Sequence, residues 1–125
     1  MLRTLLVLAC IGGAAPAHAQ LAGDWRGVGL QVDRIGAQSS WTIAMRVGGA
    51  SRIDYPSLGC RATLHEVRRS GSEIEFREEI TEGDCIDGGR LVVRSMDGRL
   101  WWYWHDAAGR ADASAVLYRT DDPVG

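Results

Sequence analysis

The sequence predicts an all-β domain, an eight-stranded antiparallel meander held by one disulfide, and three observations carry that prediction. Apolar residues recur at a period of two, most cleanly where Trp41, Ile43, Met45 and Val47 share one face and Thr42, Ala44 and Arg46 the other, which is the spacing of a strand with one buried side. Gly and Asp fall between the apolar segments at short intervals, as hairpin turns require. Two cysteines, Cys60 and Cys85, remain once a leader segment is set aside, an even pair that forms a disulfide in an exported chain. No window has the 3.6-residue period of an amphipathic helix.

Each strand follows from the same pattern. The first runs from Asp24 to Val32 and the second from Trp41 to Val47. Gly48-Gly49 turns the chain into the third, Ser51 to Tyr55, which ends at Pro56 because proline has no N–H to give a ladder. The fourth runs from Cys60 to Val67 and turns at Ser70-Gly71. In the fifth, Glu73 to Ile80, the residues Ile74, Phe76 and Ile80 share a face, and the alternation places Glu78 on that same apolar face. A glycine-rich acidic loop from Thr81 to Gly89 carries Cys85. The sixth strand, Arg90 to Met96, meets the seventh, Arg99 to His105, through Asp97-Gly98, a pair suited to a two-residue hairpin turn. The eighth is Ala111 to Arg119, and the polar residues 120–125 are expected to form a flexible tail. Eight sequential strands escape exposed edges by closing into a barrel. A two-sheet β-sandwich is the alternative, since a period of two does not separate them.

Residues 1–19 have the organisation of a signal peptide: Arg3, an apolar run from Leu5 to Ile11, then Ala17-His18-Ala19 before Gln20. Cleavage after Ala19 sends the domain, residues 20–119 with its tail, to the periplasm or the medium. Lipidation at Cys10 is the competing possibility, disfavoured because the apolar stretch before Cys10 is short and continues past it. No stretch reaches the roughly 20 apolar residues of a membrane-spanning helix. A bridge from Cys60 to Cys85 closes a loop of roughly 26 residues, worth about 3.5 kcal/mol in the chain-entropy model. Loss of Arg3 with the leader makes the formal charge one unit more negative than the −2 of the whole chain, so nothing draws the protein to nucleic acid or anionic membrane.

Two resemblances add to this. Gly23-Asp24-Trp25 at the start of the first strand resembles the Gly-x-Trp motif of lipocalin-like barrels, and Arg119 near the end of the last strand matches the basic residue that family lays across the tryptophan ring. The resemblance implies a lipocalin-like barrel whose first and last strands are joined by a cation–π contact between Trp25 and Arg119. The pattern Tyr55-Pro56-Ser57-Leu58-Gly59-Cys60, with Phe76-x-Glu78 and Gly83-x-Cys85, is similar to that of a set of small exported bacterial domains without assigned function. It implies a fold and a disulfide but no chemistry.

The chemistry-bearing residues are few. His65-Glu66 and His105-Asp106 are adjacent pairs, and neighbours along a strand point to opposite faces, so neither is a dyad. Ser57 lies in a turn unlike a nucleophile elbow. Glu82, Asp84 and Asp87 crowd one loop without the spacing of an EF-hand. No catalytic residue, metal site or cofactor is therefore expected, and the protein is expected not to be an enzyme. Three residues are candidates for binding. Glu78 faces inward, where a carboxyl must be paired or neutral. Trp101 and Tyr103 lie on the opposite face of the seventh strand from Leu100, Trp102 and Trp104, exposing aromatic surface unless neighbouring arginines cover it. These features suit an exported, non-enzymatic binding or interaction module for an unknown small ligand or protein, with a proteinaceous inhibitor of a secreted or periplasmic hydrolase as the alternative. The bulky inward set is expected to leave little cavity.

Overall fold

A computed structural model describes residues 21–33 and 35–124, so the leader, its cleavage position and Cys10 lie outside the described residues. Strands β1 (Gly23–Val32), β2 (Gln38–Val47), β3 (Arg52–Tyr55), β4 (Cys60–Ser70), β5 (Glu73–Glu82), β6 (Arg90–Met96), β7 (Arg99–His105) and β8 (Asp112–Arg119) follow one another. They form a closed antiparallel barrel in sequence order, and β8 pairs with β1 through Trp25↔Arg119 and Gly27↔Leu117. Closure leaves no open sheet edge and selects barrel over sandwich.

Three boundaries differ from the sequence expectation by two residues or more, each for a local reason, and the starts of β1, β3 and β8 differ by one. β2 starts three residues before Trp41, at Gln38, because Val32↔Gln38 and Gln31↔Ser39 continue the ladder with β1 through polar residues that no apolar alternation marks. β4 runs past Val67 to Ser70 because the register with β5 shifts between Glu66 and Arg68. The extra residue is a β-bulge, and it re-phases the side chains beyond it. A second shift between Arg61 and Ala62 carries β5 on to Glu82. The β6–β7 turn has positive φ at both Asp97 (55°) and Gly98 (74°), the requirement of the turn that matches strand twist.

The inward faces fill the barrel. Trp25, Ile43, Met45, Ile53, Ile74, Phe76, Leu91, Leu100 and Trp102 are all buried in one core. One end is capped. There the Arg119 guanidinium lies 4.3 Å from the Trp25 ring centroid, the Trp25 indole N–H donates to the Leu21 carbonyl at 2.9 Å, and Arg119 donates to the Ala22 carbonyl at 2.7 Å. The segment expected to be a flexible tail is docked on this cap. Val124 is only 1% exposed, its N–H donates to Asp24 Oδ1 at 3.2 Å, and its carbonyl accepts from the Arg52 guanidinium. Asp24 also pairs with Arg46 at 3.1 Å, so a strand-borne ion pair and an apolar side chain together hold residues whose sequence looks like a solvated terminus.

A candidate binding cup at the open end

At the other end, where β1 meets β2, β3 meets β4, β5 meets β6 and β7 meets β8, the interior opens into a cup of about 290 Å³. That lies near the lower bound of about 300 Å³ for small-molecule pockets. The inward side chains pack into one core, and Tyr55, Trp102 and Trp104 of that core line the cup where it meets the open end.

Inward positions at the ends of four strands build the wall: Trp41 from β2, Tyr55 from β3, Glu78 from β5, and Trp102 with Trp104 from β7. Tyr55 and Trp102 pack edge to face, with centroids 6.5 Å apart and planes at 75°. Two glycines seat the outer tryptophans. A Cβ at Gly29 would stand 2.9 Å from Trp41 Cε2, and one at Gly89 only 2.2 Å from Trp104 Nε1, so each indole lies directly on bare backbone. Replacing Gly89 with Ala is expected to displace the Trp104 ring and cost about 1–3 kcal/mol as overpacking. Chemical denaturation reads that loss, and the quenched or shifted emission of a moved tryptophan accompanies it.

The rim is polar on one side and mixed on the other. Gln31, Ser39 and Ser40 come from the polar extension of β1 and β2, and Leu58, Asp84 and Ile86 from two loops. The first of these loops is a 3-10 turn, Pro56–Leu58, closed by Gly59 in the left-handed region. Ser57 Oγ accepts from the Thr42 N–H at 2.9 Å while the Ser57 N–H donates to Thr42 Oγ1 at 3.1 Å, fastening the turn to β2. The disulfide Cys60–Cys85, with Cα atoms 6.2 Å apart, ties it to the β5–β6 loop. Within that loop Asp87 Oδ1 accepts from the N–H groups of Ile80 and Gly88, and these bonds hold its carboxyl below the usual range.

Glu78 is the one buried charged or polar residue among those described, 2% exposed. Tyr55 Oη donates to its Oε2 at 2.5 Å. Burial pushes the carboxyl above its ordinary pKa, opposed by hydrogen bonds from Tyr55 and from the Trp104 indole, and Asp87 raises it further. Burial also drives the Tyr55 phenol well up, reinforced by the adjacent carboxyl. Glu78 therefore holds its proton to higher pH than an exposed carboxyl does, beside a Tyr55 phenol that burial keeps neutral.

A sign follows for stability. The folded state holds the Glu78 proton to higher pH than the unfolded chain does, so stability is present below the ordinary carboxylate pKa and declines as pH rises from there to the raised folded value. Glu78→Gln keeps an acceptor for Tyr55 and removes the titration. Its stability relative to wild type is expected to improve through that window by up to about 1.4 kcal/mol per pH unit, as read by urea denaturation between pH 4 and 8.

The sequence-derived candidates separate. Glu78 lies in the cup, whereas Trp101 and Tyr103 are on the outer wall, where Trp101 pairs with Arg94 and Val116 and Tyr103 with Val92 and Ser114. Tyr103 is 42% exposed, and Val28 and Leu30 on β1 are exposed beside it. Arg99 covers Tyr118 instead, 5.8 Å from its ring centroid. His105 is joined to Asp112 at 3.1 Å and His65 to Glu79 at 3.6 Å, cross-strand partners rather than sequence neighbours. Trp41, Tyr55 and Trp104 belong to the cup although their alternation marks them only as core. The signal that distinguishes them is position: each ends an inward face on the side of the barrel that carries the long loops.

Fold and site together define a closed eight-stranded barrel, capped at one end by Leu21, Ala22, Arg119 and Val124 and open at the other to an aromatic cup with a buried carboxyl. No family model and no curated protein matches the chain. Among the described residues no helix is long and apolar enough to cross a membrane.

Proposed function

We propose that the protein is an exported, non-enzymatic binding module whose open end takes up a small amphipathic molecule. The observation that carries this is Glu78, a carboxyl buried at the wall of an otherwise aromatic cup. A barrel that needed only stability gains nothing from a desolvated acid there, since an apolar residue of similar volume costs less. A few polar groups set in an apolar concavity are the usual composition of a ligand site. The leader and the disulfide support export to the periplasm or the medium. Of the hydroxyl, thiol and imidazole groups that serve as nucleophiles or bases, Ser39, Ser40 and Tyr55 are those among the described residues that line the cup, and no imidazole among those lining residues stands by to activate them, which supports binding over catalysis.

A second reading, contact with a protein such as a secreted or periplasmic hydrolase, is favoured by the outer wall, where Trp101 and Tyr103 lie beside exposed Val28, Leu30 and Met96. Exposed apolar surface of this kind marks interaction sites. Native mass spectrometry of the mature protein recovered under non-denaturing conditions separates the two. A small-molecule adduct lost on gentle activation is expected. A protein complex with an empty barrel would favour the outer wall and overturn the cup.

A further inference from the structure

Resting on the binding-cup reading above, we infer that the molecule taken up is a small organic cation, an ammonium group on a compact apolar body. Three features of the cup point the same way. Its wall is aromatic on several sides, with Trp41, Tyr55, Trp102 and Trp104 contributed by three strands. A ring presents negative charge on its face, and several rings around one space form the arrangement that holds quaternary and alkylated ammonium groups. Both ionisable carboxyls of the cup, Glu78 in the wall and Asp84 at the rim, carry the same sign. Among the described residues that line it there is no arginine or histidine, although the chain has 14 arginines and 3 histidines.

The other ligand classes fit worse. An anion would be placed against two carboxyls, with no cation among the described lining residues to receive it. A neutral apolar molecule would fill the volume but leave the Glu78 carboxyl without a role. A cation gives it one: the Glu78 carboxylate is the counter-ion and Tyr55 remains its hydrogen-bond donor, so charge is balanced inside the wall. The groups that bear on the Glu78 carboxyl are Tyr55 from β3, Trp104 from β7 and Asp87 from the β5–β6 loop.

The test uses the mature, disulfide-bonded protein and three probes of one shape: choline, its neutral isostere 3,3-dimethylbutan-1-ol, and 3,3-dimethylbutyrate. Titration calorimetry is expected to show choline bound at least about tenfold more tightly than the neutral alcohol, a difference within reach of desolvated cation–π contacts, and the carboxylate not at all. Glu78→Gln, with its fold checked by circular dichroism, is expected to abolish the preference. If that variant does not fold, Asp84→Asn at the exposed rim serves instead, with choline weakened about threefold and the alcohol unchanged. Equal binding of choline and the alcohol, or preference for the carboxylate, would overturn the cation while leaving the cup. Failure of all three to bind would overturn both.

Discussion

Replacing Cys60 and Cys85 together with serine is expected to lower the unfolding free energy by about 3.5 kcal/mol, the loop-closure contribution of a cross-link spanning this sequence separation. For a domain of this size that corresponds to a drop in midpoint temperature of roughly 15–25 °C, read by differential scanning calorimetry with and without reductant. The bridge joins Cys60, the first residue of β4 and part of the core, to the loop after β5. Its loss also frees the side of the rim that carries Asp84 and Ile86. Stability and binding should therefore fall by different routes: the barrel ladder persists below the new midpoint, while the cup loses one wall. A double variant with an unchanged midpoint would mean that the loop is held by Asp87 and the Gly88 and Gly89 backbone bonds to Glu78 without help from the disulfide.

Truncating Trp25 to alanine is expected to cost about 3–5 kcal/mol, the other large effect. The ring is fully buried, donates to the Leu21 carbonyl, and lies under Arg119 from the neighbouring strand. Removing it empties the cap, strands the guanidinium, and loosens the β1–β8 seam that closes the barrel. Trp25→Phe keeps most of the apolar volume and forfeits the N–H bond and part of the cation–π contact, so a smaller loss of about 1–2 kcal/mol is expected. Urea denaturation at unchanged m-value distinguishes this graded loss of stability from a change in compactness.

How much of this was legible in the sequence differs from element to element. The alternation in β2, β5 and β7 put Ile43, Phe76 and Trp102 inward, and it placed Glu78 with them against its chemistry. That mismatch between pattern and residue type was the strongest pointer to the site. The Asp97-Gly98 hairpin and the cysteine pair were equally plain, because each depends on a local requirement. The cup was not legible. Alternation reports which face a side chain takes but not its height along the barrel axis. Trp41, Tyr55 and Trp104 therefore looked like more core, and a filled interior was the natural expectation. The polar start of β2 at Gln38 and the bulge at Val67 carry no apolar period, so backbone pairing alone defines them. The docked Val124 was hidden for a related reason, since a single apolar residue in a polar tail signals burial only once Asp24 and Arg52 are known to stand beside it. Trp101 and Tyr103 were placed correctly outward, but alternation gave no means of telling that they and Glu78 lie on opposite sides of the wall.

The central claim is that the open cup, and not the outer wall, receives the ligand, and the protein's five tryptophans allow it to be tested in one spectrum. In a ¹⁵N-labelled sample the indole N–H signals report separately on the cap (Trp25), the outer wall (Trp101) and the cup (Trp41, Trp102 and Trp104). On titration with choline and with 3,3-dimethylbutan-1-ol, the cup signals are expected to shift and saturate, with Trp25 and Trp101 unmoved. Saturating shifts at Trp101 with Trp41 and Trp104 unchanged would contradict the account and place binding on the outer wall.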